Sequence, residues 1–126
     1  MKTVIQPVLS VRNGVSAIDF YKRAFGAVEL MHISDPDGAV VAELSIDGAV
    51  FFLADESPAN ANYSPETIGG NSVRMAIIVD DPDALFAKAI AAGALEIYPV
   101  ADQGYGYRLG RLSDPFGHHW EIGKQI

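Results

Sequence analysis

The 126-residue sequence contains no cysteine, and that absence removes disulfide scaffolds, thiolate metal sites and cysteine nucleophiles together. Basic residues are scarce: nine Lys and Arg stand against 16 Asp and Glu, for a formal charge of −7. A phosphate backbone is gripped mainly through clustered Lys and Arg, so this scattered, outnumbered set argues against nonspecific nucleic-acid binding. No apolar run approaches the ~20 residues of a membrane helix, and Met1 to Leu9 is too short and interrupted for a secretory core. No membrane partner is expected, and the default location is the cytoplasm. Glycine-rich phosphate loops, Ser-His-Asp arrangements and paired catalytic carboxylates at interpretable spacing are missing as well.

What is present is an ordinary globular composition, 49% apolar and 20% charged, at a length that suits one domain, residues 1–126. Surface scaling for this mass gives roughly 6,500 Å² exposed when folded, so a real core needs no staples. The pattern predicts strand, helix, then three strands, and does so twice. Val4 to Val11 is a β-branched run, Asn13 offers a cap to a helix through Phe25, and Gly26 ends it. Strands are expected at Val28 to Ser34, Val40 to Ile46 and Ala49 to Ala54, separated by Asp35-Pro36-Asp37-Gly38 and Asp47-Gly48. Residues 55–71, rich in Pro, Gly, Asn and Ser and without periodicity, read as a linker or mobile loop between repeat 1 (residues 1–54) and repeat 2 (residues 72–126). In repeat 2, Val73 to Val79 is a strand, Asp81 caps a helix that runs from Pro82 to Ala92, and Gly93 ends it. Strands follow at Leu95 to Tyr98, stopped by Pro99, then at Tyr107 to Leu112 and His118 to Ile122.

Individual residues repeat too. Gly26-Ala27-Val28-Glu29-Leu30 returns as Gly93-Ala94-Leu95-Glu96-Ile97, 67 positions later, and Gly48 to Phe52 lies over Gly117 to Glu121, displaced by 69. Internal duplication of a βαβββ unit explains both. The expected fold is α+β: two βαβββ repeats forming a curled, mostly antiparallel eight-stranded sheet around a cleft, with the helices on its outer face. Ile18, Tyr21, Phe25, Leu85 and Trp120 should pack between helices and sheet.

These residues resemble the vicinal oxygen chelate superfamily, which includes glyoxalases, bleomycin-resistance proteins and extradiol dioxygenases. The likeness spans the chain and is most specific in Pro7 to Val11, Ala17 to Ala27, and Gly110-Arg111-Leu112-Ser113-Asp114-Pro115-Phe116-Gly117-His118-His119-Trp120-Glu121. Metal-dependent members place His, Glu or Gln on the first and last strands of each repeat. The resemblance maps those positions to Gln6, Phe52, Arg74 and Glu121, of which only Glu121 is a good ligand. Phe52 cannot coordinate, and the fixed charge of Arg74 opposes a cation. The resemblance therefore implies a small-molecule binding protein without a metal or other cofactor, a homodimer with its cleft near the subunit boundary. The alternative is a lyase, isomerase or dioxygenase with a divalent metal held by Gln6, His119 and Glu121.

Glu121 is the candidate catalytic base or ligand-binding carboxylate, with Arg74 as its ion-pair partner. His119 shares its strand face, and a His there serves as a proton shuttle or as a partly buried, hydrogen-bonded structural residue. Tyr105, Tyr107 and Arg108 lead into the seventh strand and suit a planar or anionic ligand at the cleft mouth. The ligand-binding set is thus Gln6, Phe52, Arg74, Tyr105, Arg108, His119 and Glu121. His32 and Glu43, on neighbouring strands, are close enough in the pattern to form a polar contact. The acidic surface as a whole favours cationic or amphiphilic ligands, weakly and in a salt-dependent way.

Overall fold

Local signals set both long helices. In the computed structural model, which describes Met1–Ile126, the Asn13 side chain accepts the Ser16 N–H at 3.0 Å and opens α1, Gly14–Phe25. Asp81 accepts the Ala84 N–H at 3.1 Å and opens α3, Pro82–Ala92. Gly26 and Gly93 end them at φ 69° and 121°, a region that costs other L residues strain. Between and around them lie β1 Val8–Val11, β2 Val28–Ser34, β3 Val40–Ile46, β4 Ala49–Asp55, a short α2 Pro65–Ile68, β5 Arg74–Ile78, β6 Leu95–Asp102, β7 Tyr107–Ser113 and β8 His119–Gln125. No helix is long and apolar enough to cross a membrane.

The strands form two four-stranded sheets, ordered β1-β4-β3-β2 and β5-β8-β7-β6. Within each, the first strand runs parallel to the last and the other neighbours are antiparallel. The fold is α+β and built from two βαβββ units, with the eight strands divided between two sheets. The registers match across the repeat: Val8 pairs with Phe52 where Ala76 pairs with Glu121, and Met31 meets Glu43 where Tyr98 meets Arg111.

Each change in the repeat spacing has a structural origin. Val11 and Val79 are 68 apart, but Gly26 and Gly93 are 67 apart because α3 has 11 residues and α1 has 12. An irregularity between Tyr98 and Ala101 adds one residue to β6. The turn Pro115-Phe116-Gly117 is one residue longer than Asp47-Gly48 and brings the spacing to 69 at β8. The β6 bulge needs a glycine opposite it, since a Cβ on Gly110 would lie 2.6 Å from the Val100 nitrogen.

Three sequence expectations need correction. β1 begins at Val8, and residues 4–7 precede it, exposed except for the partly covered Pro7. β6 passes through Pro99, which an edge strand with a bulge tolerates because no ladder partner requires its missing N–H. The span 55–71 is ordered by polar side chains instead of apolar periodicity: Glu56 accepts the Ser64 N–H at 2.8 Å and the Thr67 hydroxyl at 2.9 Å, and Ser64 caps α2.

One cluster of 21 buried residues draws on both halves. Ile18, Tyr21, Phe25 and Trp120 are buried in it, with Leu85 packed at its edge. Trp120 lies 4.8 Å, ring to ring, from Phe25 and 5.6 Å from Phe51, tying the second sheet to α1 and to the first sheet. At its polar centre is Asp114, fully enclosed. It accepts the Tyr21 hydroxyl at 2.5 Å, Trp120 Nε1 at 2.9 Å and the backbone N–H groups of Phe116 and His118. Burial, and then the charge of Asp114, push the Tyr21 phenol far up, so it stays a donor.

Candidate functional site

Alternation along each strand sends one side chain to the helix-packed core and the next to the open face. On the first sheet the open face carries Val8, Phe52, Glu43, Met31, Val41 and Ile33, mostly apolar. On the second it carries Arg74, Glu121, Arg111 and Tyr98, the last three at the places of Phe52, Glu43 and Met31. The Glu121 carboxylate there takes three donors: Arg74 Nε at 3.1 Å, the Tyr98 hydroxyl at 3.0 Å and Arg111 Nη2 at 3.2 Å. The Arg111 guanidinium also stands 5.4 Å from the centre of the Tyr98 ring.

Around this cluster is a hollow of about 540 Å³, lined by Ala76, Ile78, Leu109 and Gly123 and rimmed by Tyr105 and Tyr107. That volume lies within the ordinary range for small-molecule sites. Gly123 keeps its floor close, because a Cβ there would sit 2.5 Å from that of Leu109. Partial burial pushes the Glu121 carboxyl up, but hydrogen bonds from Tyr98, Arg74 and Arg111 outweigh it and hold the group below the usual carboxylate range. The Tyr98 phenol is raised by burial and by its bond to Glu121, so it remains protonated and donating.

Of the residues expected from sequence, Arg74 and Glu121 meet as an ion pair, and Tyr105 stands at the rim, 67% exposed. His119 shares the open face, opposite Arg74 on one side and Ser113 on the other. The histidine that bonds across the molecule is its neighbour His118, whose Nε2 meets the Ser10 carbonyl at 2.8 Å. Gln6 is exposed ahead of β1, and Phe52 lies on the first sheet. The hollow around Glu121 is lined by second-half residues alone. Arg108 does not face the hollow: it points to the helix side of β7, where it is held by Asp83 of α3 at 2.7 Å and Asp102 at 3.0 Å. His32 and Glu43 do not meet either. His32 pairs in register with Ala42, on the opposite face from Glu43, and contacts Glu29 and Ser34.

Sequence reading missed Arg111 and Tyr98. A charged residue flanked by Gly110 and Leu112 in a strand is a usable signal for Arg111, and its place over Glu43 in the repeat is another. As a metal centre the cluster is a poor fit: no three His, Asp or Glu side chains converge anywhere in the protein, and Glu121 is already bonded by two guanidinium groups.

A model of the Glyoxalase/Bleomycin resistance protein/Dioxygenase superfamily matches residues 4–122. The chain is 39% identical over 130 residues to an uncharacterized protein of Mycobacterium bovis, covering 100% of this chain and 86% of that one. It superposes on the crystal structure of an Arabidopsis thaliana gene product with a TM-score of 0.76 and 29% identity, covering 98% of this chain and 100% of the other. TioX from Micromonospora sp. ML1 superposes with a TM-score of 0.73 at 25% identity, with 98% and 97% covered.

Proposed function

The chain belongs to the Glyoxalase/Bleomycin resistance protein/Dioxygenase superfamily, and from that premise we propose that it binds a small organic molecule over the open face of its second sheet, without a metal. The observation that carries this reading is the state of Glu121, the one good metal-ligand residue at the family's four positions. Both of its oxygens are taken, by Arg74 on one and by Tyr98 and Arg111 on the other. A divalent ion there would displace two guanidinium groups and find few other donors. The same hydrogen-bonded cluster, set in an apolar hollow with tyrosines at the mouth, has the make-up of a small-molecule site: a few convergent polar groups among apolar ones.

The proposal includes a cytoplasmic homodimer. Its support is area: the single chain exposes 7,241 Å², above the roughly 6,500 Å² expected for its mass, and the open face of the first sheet leaves Val8, Val28, Ile33 and Val41 uncovered. A second copy related by a twofold axis would cover that face. Light scattering at tens of micromolar protein should give twice the chain mass, and a monomer there overturns the dimer. For the metal, elemental analysis of purified protein followed by thermal shift with Mn, Ni, Co, Zn and Fe(II) should show no ion-selective rise in Tm. Stoichiometric metal, or a large rise with one ion, overturns the metal-free reading in favour of the metal-dependent enzyme.

A further inference from the structure

The charge in the hollow runs against the charge of the protein. The chain carries −7 overall, yet the charged residues lining the hollow are Arg74, Arg111 and Glu121, two cations and one anion. The local balance is one net positive charge. Glu121 engages only part of what the two guanidinium groups offer, Nε of Arg74 and Nη2 of Arg111. An arginine has five N–H donors in a planar fork. The Nε–H of Arg111 is buried and has no acceptor in the chain. That atom is closed to the hollow, but the Arg74 and Arg111 side chains keep 53% and 25% of their surface open, and their remaining N–H groups outnumber the two that Glu121 takes.

The rest of the lining selects shape. Tyr105 and Tyr107 stand at the mouth with ring centres 6.3 Å apart, and the Tyr98 ring lies beside Arg111. Aromatic walls over an apolar floor suit a flat ring, and a guanidinium fork suits a carboxylate at its edge. A cation would meet two guanidinium groups, and a neutral ring would leave their remaining donors without an acceptor. We infer that the hollow takes a planar aromatic monocarboxylate, with its carboxylate on the free donors of Arg111 and Arg74 and its ring among the three tyrosines. This rests on the small-molecule reading of the same hollow and adds the sign of the ligand's charge, opposite to what the acidic composition suggests.

Three probes of one shape test it: 2-naphthoate, 2-naphthamide and 2-naphthylmethylammonium, each titrated into the 126-residue chain at low salt and followed by ¹H–¹⁵N spectra that include arginine Nε–H signals. Naphthoate should bind at least about tenfold more tightly than the ammonium compound, with the Arg111 Nε–H signal shifting on saturation, and raised salt should weaken it. Glu121→Gln, which raises the local charge by one, should tighten naphthoate by roughly tenfold, and Arg111→Met should abolish its binding. Because Arg111→Met leaves Glu121 less well partnered and its fold is at risk, the Glu121→Gln result stands as the independent check. If the amide or ammonium probe binds as well as naphthoate, or if Glu121→Gln weakens naphthoate, the anion preference is wrong and the small-molecule reading survives. If none of the three binds at millimolar concentration, both fail.

Discussion

At the centre of the first sheet, Phe52 sits between Val8 and Glu43; at the corresponding place in the second, Glu121 sits between Ala76 and Arg111. The backbone partners coincide and the chemistry does not. A strand register decides only which positions meet and on which face, so one skeleton carries an apolar face in one half and a hydrogen-bonded ion cluster in the other. The halves also differ in length at three places, and two of these differences rest on single residues: Gly110, against the bulge in β6, and Asp114, at the start of the longer turn before β8. The first half needs neither device. Its two-residue turn is made by Asp47 and Gly48, both at positive φ, as a tight hairpin requires. Its counterpart to Gly110 is Ala42, which keeps its Cβ.

The sharpest way to break this comparison is at the two turns. Asp114→Ala should cost about 3–5 kcal/mol, since it strands the Tyr21 hydroxyl, the Trp120 indole N–H and two backbone N–H groups in the core. Asp47→Ala in the first turn should cost only about 1 kcal/mol, the strain of φ 50° on alanine. Urea unfolding of both variants checks it. Equal losses would mean that the longer turn is not an anchor of the core.

That anchor shows why part of the molecule was legible in sequence and part was not. Helix ends and core positions were legible because their causes are local: Asn13, Gly26, Asp81 and Gly93 are caps, and Ile18, Tyr21 and Phe25 follow a helical period. The Arg74–Glu121 pair could be read as well, from the positions that the family resemblance maps, with the repeat in support. Tyr98 could not. Counting alternately from Leu95 places it on the helix side, and the irregularity between Glu96 and Tyr98 moves it to the open face. Arg108 was misplaced for the converse reason, because adjacency to Tyr107 in sequence means the opposite face in a strand. The ordering of residues 55–71 left no periodic trace, since Glu56 and Ser64 create it through side-chain-to-backbone bonds. Asp114 stands before Pro115 and Gly117, a turn-forming run, and its bond to Tyr21, 93 positions away, exists only once the two halves share a core.

The next comparison lies at the bulge. Gly110→Ala puts a Cβ 2.6 Å from the Val100 nitrogen and 2.8 Å from the Pro99 carbonyl carbon, both backbone atoms that cannot swing aside. The expected loss is about 1–3 kcal/mol. Deleting Val100 in the same variant should restore part of it, because β6 then keeps only the irregularity between Glu96 and Tyr98, which β2 shares between Glu29 and Met31. If Gly110→Ala is neutral by urea unfolding, the close approach of β6 and β7 is not needed for the fold.

The smallest effect separates the two open faces by pH. Glu121 is held below the usual carboxylate range in the folded chain, where Tyr98, Arg74 and Arg111 bond its charged form. Its contribution to stability is therefore complete above the unfolded carboxylate range and is lost as pH falls through its lower, folded value. Phe52, in the same place on the first sheet, has no group to titrate. The stability difference between wild type and Glu121→Gln, from urea unfolding across the acid range, should thus shrink as pH falls. The difference between wild type and Phe52→Leu should stay flat over the same range. The subtraction cancels the acid response of every carboxylate that does not touch Glu121, so a pH-independent difference for Glu121→Gln would mean that its carboxylate gains nothing from its three donors. Two guanidinium groups and a phenol would then be arranged around Glu121 for the sake of what else enters the hollow, and the contrast between the two faces would lie in ligand recognition instead of in folding.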